Sequence, residues 1–180
     1  MFEVEVKFRV DDYEHMVGKL NAIGATFDNP GTQRDVVFID ADTVGFNIKP
    51  GTPVVRVRSE GGKVSLTMKK RVTDGQSVEH ELYISDTDKM TQILENLGLK
   101  KTVEVVKQRK TAQINGLTYC LDIVDGAGCF LEIEDMVEKN EDVDKAYTTI
   151  MAHARDLGLD EKDIERDKYD TLVYRNSKKG

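Results

Sequence analysis

Residues 2–10, Phe-Glu-Val-Glu-Val-Lys-Phe-Arg-Val, alternate apolar and charged side chains without interruption. Only an extended strand sorts a period of two onto separate faces. Val4, Val6 and Phe8 share one face, and Glu3, Glu5, Lys7 and Arg9 share the other. The same alternation between turn residues predicts strands at 2–10, 33–40, 53–59, 63–71, 78–84, 103–111, 117–124 and 129–135. Gly61-Gly62, Asn115-Gly116 and Asp125-Gly126-Ala127-Gly128 supply hairpin turns between neighbours, so the sheet is expected to be antiparallel.

Three segments change to helical spacing, each followed by a glycine suited to end a helix. Residues 12–23 carry Met16, Val17, Leu20 and Ile23 before Gly24; 86–97 carry Met90, Ile93, Leu94 and Leu97 before Gly98; 142–157 carry Tyr147, Ile150, Met151, Ala154 and Leu157 before Gly158. A shorter helix is expected around 161–175, and residues 176–180 are expected to fray, leaving 1–175 as a single domain. The chain also repeats itself faintly. Glu3/Glu5 match Glu79/Glu81, Leu20-Asn21-Ala22-Ile23-Gly24 matches Leu94-Glu95-Asn96-Leu97-Gly98, and Gln33-Arg34 matches Gln108-Arg109. Each half then runs strand, helix, three strands. Two such halves make an α+β fold, an eight-stranded antiparallel β-barrel or tunnel with pseudo-twofold halves and helices outside.

The signs of the charges carry more than their placement. The polar faces run Glu3, Glu5, Lys7; Arg56, Arg58; Thr67, Lys69, Arg71; Glu79, Glu81; Lys107, Arg109; Asp122; Glu132, Glu134. Two carboxylates about 7 Å apart along a strand repel by about 2 kcal/mol at an effective dielectric near 20. A sandwich with its charged faces in water explains the sorting of polarity but not the runs of one sign, because an exposed face ordinarily mixes its charges. The alternative turns the charged faces into a solvated channel. Carboxylate pairs suit a hard divalent cation, and paired Arg and Lys suit phosphate oxygens. A metal-complexed polyphosphate satisfies both.

The net charge of -7 gives no long-range attraction to nucleic acid or an anionic membrane, so neither is an expected partner. No apolar run reaches the length of a signal peptide or membrane span, which points to the cytoplasm. Cys120 and Cys129 flank a turn where they would not oppose each other, and are expected to stay thiols. His15, His80 and His153 lack zinc-ligand spacing.

The ordered set of motifs resembles the CYTH superfamily, the triphosphate tunnel metalloenzymes. It comprises Glu3-Val4-Glu5-Val6-Lys7, Arg56-Val57-Arg58, Leu66-Thr67-Met68-Lys69, Glu79-His80-Glu81, Lys107-Gln108-Arg109, Leu121-Asp122, Gly128 to Glu134 and Lys168-Tyr169-Asp170-Thr171-Leu172. The resemblance implies Mg²⁺ or Mn²⁺ on Glu3, Glu5, Asp122, Glu132 and Glu134. It places triphosphate on Lys7, Arg56, Arg58, Lys69, Lys107 and Arg109, with Glu79, Glu81 and Tyr169 in support. Glu3, Glu5, Lys7, Asp122 and Glu134 would be the catalytic set.

Within the superfamily the sequence is most similar to the class IV, CyaB-type adenylyl cyclases, through Val6-Lys7-Phe8-Arg9-Val10, Lys107-Gln108-Arg109 and Gly128 to Glu134. It departs at Val37, where relatives commonly carry Tyr, and in the 41–53 loop with Phe46, Pro50 and Pro53. The implied activity is conversion of ATP to cyclic AMP and pyrophosphate by in-line attack of the ribose 3′-hydroxyl. The alternatives are a triphosphatase acting on inorganic triphosphate, thiamine triphosphate or a nucleotide, and a polyphosphate-binding module without turnover. The family also suggests a homodimer.

Overall fold

In the computed structural model, which describes residues 2–46, 48–49, 51–73, 76–138 and 142–178, all eight expected strands form. They are β1 (Phe2–Val10), β2 (Gly31–Asp40), β3 (Pro53–Glu60), β4 (Lys63–Thr73), β5 (Gln76–Ile84), β6 (Leu99–Ile114), β7 (Leu117–Val124) and β8 (Gly128–Val137). The helices are α1 (Tyr13–Ala22), α2 (Thr87–Asn96), α3 (Val143–Asp156) and α4 (Tyr169–Ser177). Asp12 and Asp86 cap α1 and α2 by accepting from the His15 and Lys89 amides, each at 2.9 Å. Asn115 and Gly116 take φ of 53° and 85°, the left-handed pair that a two-residue hairpin demands.

The strands bond in the order β1-β8-β7-β6-β2-β3-β4-β5, with antiparallel pairing in the described ladders. This sheet is open, with β1 and β5 at its ends, where a closed barrel was expected. At the β1 end the reason is local. Its outer edge is taken by the chain itself, as Phe8 bridges Ile164 and the Glu165 amide donates to the Lys7 carbonyl at 2.8 Å. The single helix expected over 161–175 is therefore divided into a 3-10 turn at Glu161–Asp163, a bridged segment and α4. Asn176 and Ser177 belong to α4, and the Asn176 amide donates to the Gly126 carbonyl at 2.8 Å. Pro50 and the tail residues Lys179 and Gly180 lie outside the described residues.

The chain divides into two compact units. The first holds residues 1–31, 108–124 and 128–167; the second holds 32–107, 125–127 and 168–180. In the first, Val4, Val6, Phe8, Tyr119, Leu121, Leu131 and Ile133 pack under Met16 and Leu20 of α1 and Ile150, Met151 and Ala154 of α3. In the second, Phe38, Val55 and Val57 pack with Leu94 of α2. Each large apolar side chain so buried contributes about 1.5–3 kcal/mol, and the helices thereby claim the apolar faces.

The opposite faces are not abandoned to water. Lys7, Gln33, Asp35, Ser65, Thr67, Lys107, Asp122 and Glu132 are all buried, and each lies on the charged side of its strand. Glu3, Glu5, Lys69, Arg71, Glu79 and Glu81 on the same faces are exposed, so the charged rows are buried only in part. No described helix is long and apolar enough to cross a membrane.

Candidate functional site: a three-carboxylate group and a cationic strand face

In the first unit, antiparallel register gathers charged side chains of both signs. Glu5 lies opposite Glu134 and Lys7 opposite Glu132 across β1 and β8. One carboxylate oxygen from each of Glu5, Glu132 and Glu134 lies within 4.8 Å of the others. Loss of hydration to the surrounding protein, followed by the Glu132 and Glu134 charges, raises the Glu5 carboxyl to about 7 against the partial relief from Lys7. Glu134 is also raised, first by burial, with Glu3 and Glu132 adding to the effect and Arg109 opposing it. Glu3, opposite Met136, is exposed and stands outside the group of three.

Asp122 is fully buried, and both its oxygens are engaged by Arg109, which donates through Nε and Nη2 at 2.7 and 2.6 Å. Arg109 also donates to Glu132. The structure therefore joins Asp122 to the acidic group through Arg109 and fixes Glu132, while Asp122 is not among the three clustered carboxylates. Cys120, opposite Glu132 on β7, shares this face; burial pushes its thiol up to about 12, so it stays protonated at neutral pH. It is a free thiol, as is Cys129. His153 receives or donates a 2.7 Å hydrogen bond with the Tyr119 hydroxyl, a packing role away from the carboxylates.

This acidic group fits a hard divalent cation. It offers only oxygen ligands, and a cation relieves the repulsion that raises Glu5. Proton and metal compete for the same carboxylate, so apparent Mg²⁺ affinity is expected to rise with pH through about 7 and then level, as measured by calorimetric titration. Without metal the sign for stability is opposite. The folded state holds the Glu5 proton more tightly than the unfolded chain, whose value is 4.5, so this contribution is lost as pH rises from there through about 7.

In the second unit, Arg58 donates to Asp35 through Nε and Nη2, both at 2.7 Å. Arg56, in the neighbouring row, donates to the Thr67 hydroxyl at 3.3 Å, and Thr67 donates to Glu81 at 2.8 Å. Its buried Nε has no hydrogen-bond partner. Burial, then the Arg58 charge, lowers the Arg56 pKa despite Asp35, Glu79 and Glu81. Lys69 pairs with Glu79 at 3.1 Å, and the Lys107 ammonium sits 4.9 Å from the Tyr169 ring centroid at the start of α4. Sequence reasoning missed Asp35 as a partner of Arg58. Its signal was the alternation Gln33, Asp35, Val37, which sets Asp35 opposite Arg58 once β2 pairs with β3.

The CYTH domain family model matches residues 1–169. The chain belongs to the CYTH family. It is 30% identical over 172 residues to the Methanocaldococcus jannaschii protein named "Putative adenylate cyclase MJ0240", covering 94% of this chain and 97% of that protein. The solved structure of the PH1012 protein from Pyrococcus horikoshii is 31% identical, with a TM-score of 0.79 over 96% of this chain and 99% of that one. HpAC1 of Hippeastrum, described as having a dominant triphosphatase activity, shares the fold at 18% identity and a TM-score of 0.66, over 98% of this chain and 96% of its own. CYTH proteins act on triphosphates with divalent metal, as adenylyl-cyclase-like enzymes or triphosphatases.

Proposed function

We propose that this CYTH protein is an adenylyl cyclase that converts ATP to cyclic AMP and pyrophosphate with Mg²⁺ or Mn²⁺. The observation that carries the metal-dependent chemistry is the approach of Glu5, Glu132 and Glu134 oxygens within 4.8 Å, an arrangement that favours a cation among them. The full-length likeness to the Methanocaldococcus protein supports the cyclase reading.

In this reading Glu5, Glu132 and Glu134 hold the cation, Glu3 adds negative charge at the rim, and Asp122 acts as a positioning residue through Arg109 and Glu132. A divalent ion, when bound there, would screen phosphate charge and lower the pKa of a neighbouring sugar hydroxyl. Lys7, Arg56, Arg58, Lys69 and Lys107 bind phosphate oxygens and stabilise the charge that gathers on departing pyrophosphate. Glu79 and Glu81 orient Lys69 and the Thr67–Arg56 pair. Tyr169 steadies Lys107.

Arg56 has a donor left over for a phosphate oxygen. Arg56→Gln is therefore expected to weaken inorganic triphosphate binding about 10- to 100-fold in calorimetric titration, the scale of one charged hydrogen bond. Incubation with ATP, inorganic triphosphate and thiamine triphosphate in Mg²⁺ or Mn²⁺, with chromatography of the products, tests the activity. Cyclic AMP and pyrophosphate from ATP are expected. Orthophosphate without cyclic nucleotide would instead assign a triphosphatase, and binding without any product would assign a non-catalytic module.

A further inference from the structure

Beyond Arg58 toward the β3–β4 hairpin, the polar face of the second unit changes character. A cavity of about 440 Å³ is lined there by Arg58, Glu60, Lys63, Ser65, Glu81 and Tyr83, within the size range of small-ligand sites. Tyr83 is 73% exposed although it stands on the polar side of β5, two residues from Glu81 and opposite Ser65. An aromatic ring held in water beside charged groups contributes nothing to the core beneath the sheet.

Gln33 borders the same row. It lies opposite Glu60, is only 5% exposed, and donates through Nε2 to the Glu60 carboxylate at 2.7 Å. A carboxylate cannot donate back, so this bond fixes the amide orientation and leaves Gln33 Oε1 as an acceptor. That oxygen is buried and has no hydrogen-bond partner. Gln33 therefore acts on this cavity through Glu60, whose carboxylate it orients.

Gln33 Oε1 and Arg56 Nε are thus two orphaned atoms of opposite kind. Their rows are four residues apart on β3, a span of about 13 Å. An inorganic triphosphate is a string of acceptors and can satisfy Arg56, but it offers neither a ring for Tyr83 nor a donor for Glu60. We propose that the Glu60–Tyr83 cavity is the nucleoside-binding end of the site, where Tyr83 stacks on the base and the Glu60 carboxylate, held in place by the Gln33 amide, accepts hydrogen bonds from the nucleoside. This rests on the proposed binding of phosphate by Arg56 and adds what lies at the other end of the substrate. The donor groups available are the ribose hydroxyls and the base amine, and they are separable by ligand.

The test is calorimetric titration, in Mg²⁺, of inorganic triphosphate, the α,β-methylene analogue of ATP, and the 2′-deoxy and inosine forms of that analogue. The wild type, Tyr83→Ala and Gln33→Leu proteins are compared. Tyr83→Ala is expected to weaken the ATP analogue about tenfold, as loss of one stacking partner does, and to leave triphosphate affinity unchanged. Gln33→Leu is expected to erase wild-type discrimination against the deoxy form if the ribose is the donor, or against the inosine form if the amine is. Equal affinity of the wild type for triphosphate and the ATP analogue, with no effect of Tyr83→Ala, would overturn the nucleoside site while leaving the triphosphate reading intact. Failure of the wild type to bind triphosphate at all would remove that reading and the nucleoside site with it.

Discussion

Glu134→Gln is expected to lower metal-dependent turnover at least about a hundredfold while raising the melting temperature of the metal-free protein. The two effects share one cause. Glu134 is one of three carboxylates whose oxygens crowd within 4.8 Å, and its own carboxyl is raised by burial and by Glu3 and Glu132. Neutralising it removes repulsion when no cation is present, but it also removes a charged ligand when one is needed. Loss of a group that merely supports a ligand already costs about 10- to 100-fold in metal affinity or activity, so loss of a ligand should cost no less. Initial rates across a Mg²⁺ series, together with thermal melts in chelator, separate the two. Unchanged turnover would remove Glu134 from the metal site, and a lowered chelator melt would show that its charge is stabilising instead.

Arg109→Met is expected to destabilise the fold by about 3–5 kcal/mol, the usual consequence of removing one partner from a buried ionic group. Arg109 is the cation between fully buried Asp122 and nearly buried Glu132, and the substitution leaves both carboxylates without it. That loss is a large part of a typical stability of about 5–15 kcal/mol. Adding Asp122→Asn to Arg109→Met should recover part of it, because one of the two buried carboxylates is then neutral. Urea denaturation of the single and double variants measures both quantities. A loss below about 1 kcal/mol for Arg109→Met would mean that the pair is open to water and worth no more than a surface bridge.

The strands and their faces were legible because period-two alternation and turn residues are local signals, as in Val4-Glu5-Val6-Lys7-Phe8 and Asn115-Gly116. The carboxylate rows were legible for the same reason, and Glu5, Glu132 and Glu134 do come together. What escaped depends on register or on distant chain. Asp122 could be placed on the charged face, but its bond to Arg109 exists only because β6 and β7 are neighbours. β6 begins at Leu99, four residues before its expected start, since Lys100-Lys101-Thr102 interrupt the alternation while the backbone still pairs. The 161–175 segment was expected to be helical. Ile164 and Glu165 instead bond to β1, more than 150 positions earlier, a contact that no local pattern contains.

In the proposed function the charged strand faces serve a cation and a chain of phosphates together. Titration of the wild-type protein with inorganic triphosphate, in Mg²⁺ and then in chelator, is the decisive measurement. The expected result is one-to-one binding in Mg²⁺ that weakens at least about tenfold without metal and fails to regain strength from Mg²⁺ in the Glu5→Gln variant. Equal affinity with and without metal, or no binding in either, would contradict it.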